Sequence, residues 1–220
     1  MIKVIELLGI PGCGKSTLIK ICAPNPEFVV QTKDLEASMK RNRGYTAQPE
    51  VPMPSTIRRF VEAYPNANAL FVRKLAETYN GLNELEDGIA LLDEGLFNRI
   101  TSIPYDREFM VDEAFHEMTK LVSEMEILVF DCRCPFDTAL ERLRSRPRVG
   151  YNSSGRYYDE NDEAVKAKLR VKRQNIDTVL SAFTGGKIPL DMLQPLGLNV
   201  LIIKSIVDEM FPDIKDRLWL

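Results

Sequence analysis

The sequence predicts an α/β protein, a parallel β-sheet covered by helices on both faces. Three observations carry this. Five short apolar runs alternate with longer segments of helical periodicity. The runs are nearly continuous in apolar residues, as in strands buried on both faces, rather than alternating polar and apolar. A glycine-rich turn separates the first run from the first helical segment. At 220 residues the chain suffices for one such domain and is short for two. Without a repeat, low-complexity stretch or linker, it reads as a single domain over residues 1–220.

The elements follow in order. Residues 3–8 (KVIELL) read as a strand, and a helix opens near Ser16. Residues 28–31 form a second strand, and the polar, proline-bearing stretch 32–54 has no regular pattern. Helical spacing covers 55–64 and 67–82, where Leu70, Phe71, Leu75 and Tyr79 recur on one face. Residues 89–92 are a third strand, ending in Asp93-Glu94-Gly95. A helix over 111–123 precedes the strand 126–130, and another runs from Pro135 to about Ser145. Residues 146–159 read as a loop, 161–183 as a long charged helix, and 199–204 (NVLIIK) as the last strand. Glu6, a charge inside the first strand, reads as a paired carboxylate near the edge or end of the sheet.

Composition excludes several classes. With 29 basic and 32 acidic residues, the net charge of −3 lacks the basic bias of a general nucleic-acid binder. No apolar run approaches the ~20 residues that span a bilayer, and no charged-then-apolar leader opens the chain. No membrane and a cytoplasmic setting are the expectation. Cys13, Cys22, Cys132 and Cys134 make no disulfide framework. Cys132 and Cys134 form a C-x-C with no second thiol pair nearby. With His116 as the sole histidine, they read as reduced residues at a strand end rather than zinc ligands. His116 itself reads as structural, and Trp219 as a packing anchor.

Residues 9–17, GIPGCGKST, satisfy G-x-x-x-x-G-K-[ST] between a strand and a helix. Gly9, Gly12 and Gly14 let the backbone turn so that successive N–H groups face phosphate oxygens. The helix start adds its positive dipole end. Lys15 is placed to reach the β- and γ-phosphates, Ser16 to ligate Mg²⁺, and Thr17 to touch the α-phosphate. Cys13 occupies a variable loop position, where a thiol beside amides and a lysine would be sensitive to oxidation. Asp93, at the end of a strand, is placed to hold magnesium through water. Glu94, pointing elsewhere in the cleft, would take the proton of an acceptor hydroxyl or bind the acceptor directly. Beyond them, residues 140–173 hold Arg142 and Arg146, four apart and on one face if the helix continues. Arg144, Arg148, Arg156 and Arg173 follow nearby. Such cations suit a lid, over about 146–160, that closes on a transferring phosphoryl group.

Taken together, GIPGCGKST, LLDEG, DTALERLRSR and GRYYDENDEAVKAKLRVKR resemble the P-loop small-molecule kinases, in particular the nucleoside-monophosphate and thymidylate kinase-like group. The resemblance implies a P-loop NTPase fold: three layers, α/β/α, around a five-stranded parallel sheet of order 2-3-1-4-5, with a helical or loop lid. It also implies ATP and Mg²⁺ as cofactors, an acceptor-binding insert at about 32–88, a small-molecule phosphoryl acceptor and a homodimer. Thymidylate kinases carry an aspartate–arginine pair where this chain has Asp93-Glu94, and deoxynucleoside kinases a glutamate–arginine–serine element. Arg99 stands as a candidate replacement for the missing cation, and Lys33, Arg58 and Arg73 as candidate ligands for a phosphate on the acceptor, with Arg58 and Arg73 read equally well as surface-helix charges. The competing reading is an ATPase or switch, in which Glu94 activates water. Neither an LSGGQ-like signature nor an N-K-x-D motif is present.

Overall fold

The computed structural model describes residues 2–22, 29–31, 52–67, 69–85, 88–104, 107–146 and 160–212. Its strands are β1 (Ile2–Leu8), β2 (Val29–Gln31), β3 (Gly88–Leu92), β4 (Ile127–Arg133) and β5 (Gly186–Asp191). They form one parallel sheet in the order β2-β3-β1-β4-β5, the order that the kinase resemblance implies. Register places Ile2 beside Gly88 and Val4 beside Ile127, so β1 is hydrogen-bonded on both edges. Val4, Ile5, Leu7 and Leu8 are buried, as are Ile89–Leu92 of β3 and residues 127–132 of β4. These strands need cover on both faces, and the helices supply it.

The helices are α1 (Lys15–Cys22), α2 (Ser55–Glu62), α3 (Ala69–Asn83), α4 (Leu96–Ile100), α5 (Glu113–Ser123), α6 (Phe136–Arg144), α7 (Asp162–Ala182) and α8 (Leu196–Met210). They pack in pairs, α1 on α8, α2 on α5, α3 on α4 and α6 on α7. Local chemistry sets their starts. The Phe115 N–H donates to Asp112 Oδ1 at 2.9 Å to open α5, and the Ala164 N–H donates to Asn161 Oδ1 at 2.9 Å to open α7. Asp162 and Glu163 then complement the dipole of α7.

Two sequence expectations are corrected here. Residues 199–204 are helix, inside α8, and the last strand is β5. The apolar run NVLIIK continues a helical stripe, Asn199, Ile203 and Val207, which is the part that is buried. Leu201, between stripe positions, is 63% exposed. β5 (GKIPLD) was hidden by its glycine and by Pro189, which an edge strand tolerates because its missing N–H faces no neighbour. The second correction concerns Glu6: of the two places expected for it the sheet's edge is excluded, since it lies on the middle strand with no solvent exposure, toward that strand's carboxyl end. Lys33, most of the lid stretch with Arg148 and Arg156, and Trp219 lie outside the described residues.

Candidate active site

The phosphate loop leaves β1 at Gly9 and enters α1 at Lys15. Gly12 and Gly14 have φ of +85° and +110°, a region that side chains disfavour. A Cβ on Gly12 would also sit 2.3 Å from the Ala139 carbonyl of α6. The loop is therefore pressed against α6 with no room for substitution. The Gly14 carbonyl accepts from Thr17 and Leu18 N–H at 3.1 and 3.2 Å, which starts α1. Lys15 folds over the loop, its Nζ donating to the Gly9 carbonyl at 2.8 Å and the Ile10 carbonyl at 3.2 Å, with Cys13 Sγ at 3.6 Å. Burial pushes the Lys15 ammonium down, but Cys13, Cys132, Asp93 and Glu94 more than offset this, so its pKa lies above the ordinary value.

Across the cleft, β3 ends in the turn Asp93-Glu94-Gly95, and α4 begins at once. Ser16 Oγ donates to Asp93 Oδ2 at 2.6 Å, joining the two halves of the site. A hydroxyl and a carboxylate in contact beside a phosphate loop are the oxygen donors a hard cation takes, so this pair fits Mg²⁺. Glu94 Oε2 pairs with Arg99 Nη1 at 2.7 Å; the arginine side chain is 5% exposed and the glutamate 40%. Asn98 Nδ2 donates to the Asp93 carbonyl at 3.2 Å. From α7, Lys172 Nζ donates to the Asn98 carbonyl, Thr101 Oγ1 and Ser102 Oγ at 3.1, 2.6 and 2.8 Å.

These groups line one cleft. Gly9, Gly12, Gly14, Lys15, Ser16, Asp93, Glu94 and Arg146 from the sequence reading are there. So are groups it did not assign to the cleft: Phe71 and Lys74 of α3, Asn98 of α4, and Lys172. Arg99, read as a replacement cation, lines it as well. Other candidates are not part of this lining. Arg142 turns to the loop backbone, donating to the Cys13 carbonyl at 2.9 Å and the Met192 carbonyl at 3.2 Å. The helix ends at Arg144, so Arg142 and Arg146 do not share a helical face. Arg144 pairs with Asp162 at 2.9 Å. Arg173 is held by Asp131 at 2.6 Å and by Asp177. Cys13 points into the core and Thr17 is exposed outside the cleft lining. Arg58 is exposed on α2, Arg73 pairs with Glu77, and His116 is exposed on α5, away from the cleft. The four cysteines are free, and no group of metal-binding side chains clusters among the described residues. No helix among them is long and apolar enough to cross a membrane.

A parallel sheet of this order with the phosphate loop after β1 is a P-loop kinase-like fold. No protein-family model matches the chain, and no curated protein matches its sequence. Solved structures do match. The YorR protein from Bacillus subtilis, in complex with phosphorylated GDP, aligns over 94% of this chain and 98% of its own. Its TM-score is 0.52 at 14% identity, a likeness of fold. Two structures of deoxyadenosine kinase from M. mycoides, one with bound dATP and one with the products dCMP and dCDP, align over 94% of this chain and 99% of theirs. Their identities are 15% and 14% and their TM-scores 0.49 and 0.47.

Proposed function

We propose that this chain transfers the γ-phosphoryl group of Mg·ATP to a small-molecule acceptor, a nucleotide or nucleoside. The observation that carries the reading is one cleft in which the phosphate loop and the Ser16–Asp93 contact face the Glu94–Arg99 pair. The loop amides and Lys15 bind the phosphates and orient the terminal one, and Arg146 at the rim adds positive charge where it builds up on the transferring group. Ser16 and Asp93 would hold magnesium, which would neutralise charge on the phosphate oxygens. Glu94 takes the acceptor hydroxyl's proton on Oε1 while Arg99 fixes Oε2. Phe71 supplies an aromatic wall against which a base can lie, the feature that favours a nucleotide or nucleoside acceptor.

The test is ADP formation from Mg·ATP, alone and with a panel of nucleoside monophosphates, nucleosides and sugar alcohols. One acceptor should accelerate ADP release and gain phosphate. Lys15→Ala should lower turnover by at least ~10²–10³-fold while circular dichroism stays unchanged. Steady hydrolysis indifferent to every acceptor would replace this reading with that of an ATPase, with Glu94 activating water. Normal turnover in Lys15→Ala would remove both.

A further inference from the structure

Glu6 stands in the middle strand, three residues before the phosphate loop, with no solvent exposure. A carboxylate there is costly unless its oxygens are satisfied. Both are. The Phe97 N–H donates to Oε2 at 3.0 Å and the Asn98 N–H to Oε1 at 2.7 Å. These amides are the second and third of α4, the donors that an N-cap side chain normally takes. The N-cap of α4 is Gly95, which has no side chain and makes no such bond. Nor could it carry one, because a Cβ on Gly95 would lie 2.4 Å from Glu6 Oε2. The cap of α4 is thus delivered from β1, some ninety residues away in sequence.

A serine or aspartate at the N-cap would serve the same amides locally, without burying a charge. What the remote carboxylate adds is a tie between two parts of the cleft. β1 carries the phosphate loop; the turn before α4 carries Asp93 and Glu94, and α4 carries Asn98 and Arg99, which hold them. We propose that Glu6 is a positioning residue that fixes the Asp93-Glu94 turn against the phosphate loop, with Gly95 as its required complement. The nucleotide part of this inference rests on the function proposed above.

Three measurements test it. In the wild-type protein without nucleotide, hydrogen exchange should show the Phe97 and Asn98 amides protected as well as those of β1, and Glu6→Gln should lose that protection. Fast exchange at both amides in the wild type overturns the tie, even where no Glu6 variant folds. ATP binding is then titrated with magnesium. Glu6→Gln should raise the half-saturating Mg²⁺ concentration about tenfold and leave Mg-free ATP affinity within about twofold. Parallel loss of both, or no change in either, overturns the positioning role. Glu6→Ala/Gly95→Ser restores a local cap without the tie, so it should recover thermal stability while its magnesium dependence stays shifted. Recovery of the magnesium dependence would reduce Glu6 to a helix cap. Because exchange is read on the protein alone, a chain that binds no Mg·ATP refutes the proposed function without deciding the tie.

Discussion

Lys172 and Arg173 are neighbours in sequence with different tasks. Lys172 lies on the stripe of Val165, Leu169, Ile176 and Val179, all fully buried, and so points inward to α4. Arg173, one position on, is turned to Asp131 and Asp177. The signal for Lys172 was present as a charge at an apolar stripe position, three residues after Leu169 and four before Ile176. The arginine-rich composition of the stretch pointed to Arg173 instead. The phosphate loop was legible because its function is a local backbone shape written in consecutive residues. Glu6 was legible only as an anomaly, since its partners are amides about ninety residues downstream. Its titration gives a prediction. Burial pushes the Glu6 carboxyl from 4.5 up to about 7, against the pull of the Asn98 and Phe97 amides and of Arg99 and Lys172. Between those values the folded state holds a proton that the unfolded chain has released. The stability due to this proton is therefore complete below about 4.5 and lost as pH rises to about 7. Measured by urea unfolding, wild type should lose roughly 3 kcal/mol relative to Glu6→Gln across that window. A difference independent of pH would refute the burial effect.

At the scale of elements, α4 has the most to do with the least length. Five residues make no stable helix on their own. Glu6 holds its N-terminal amides, and Lys172 takes the Asn98 carbonyl and the Thr101 and Ser102 hydroxyls just after it. Phe97 anchors its middle, fully buried with its ring edge-on to Phe183 at 4.7 Å. Phe97→Ala should destabilise the fold by ~3–5 kcal/mol in denaturant unfolding. Asp112→Ala, which removes only the local cap of α5, should cost ~1 kcal/mol and leave the cleft unaffected. The contrast separates elements held by tertiary contacts from those that sequence specifies locally. Helices with their own caps and stripes, such as α5 and α7, are legible in the sequence to within about two residues. β5 and α8 are less legible, because glycine and proline make the edge strand resemble a turn while the valine and isoleucine of α8 resemble a strand.

For the whole molecule, the proposed ligand should act as a clamp, since Ser16 on α1 and Asp93 after β3 meet only when both are folded. At a hundredfold excess over its dissociation constant, Mg·ATP should add about 2.7 kcal/mol and raise Tm by roughly 5–10 °C. Lys15→Ala should lose most of that rise in a thermal scan, and a full rise in the variant would place nucleotide binding elsewhere. The sheet order bears on how the molecule comes to exist at all. β1 is made first, yet its neighbours begin at Gly88 and Ile127. A ribosome has therefore added more than eighty residues after starting β1 before that strand can find its first partner, and nearly forty more before its second. Such distant pairings are slow to close. The phosphate loop, hung from that strand, is synthesised ahead of the strands that support it and is among the last segments to take shape. A nascent chain interrupted before β4 holds the complete GIPGCGKST sequence without the scaffold that makes it a site.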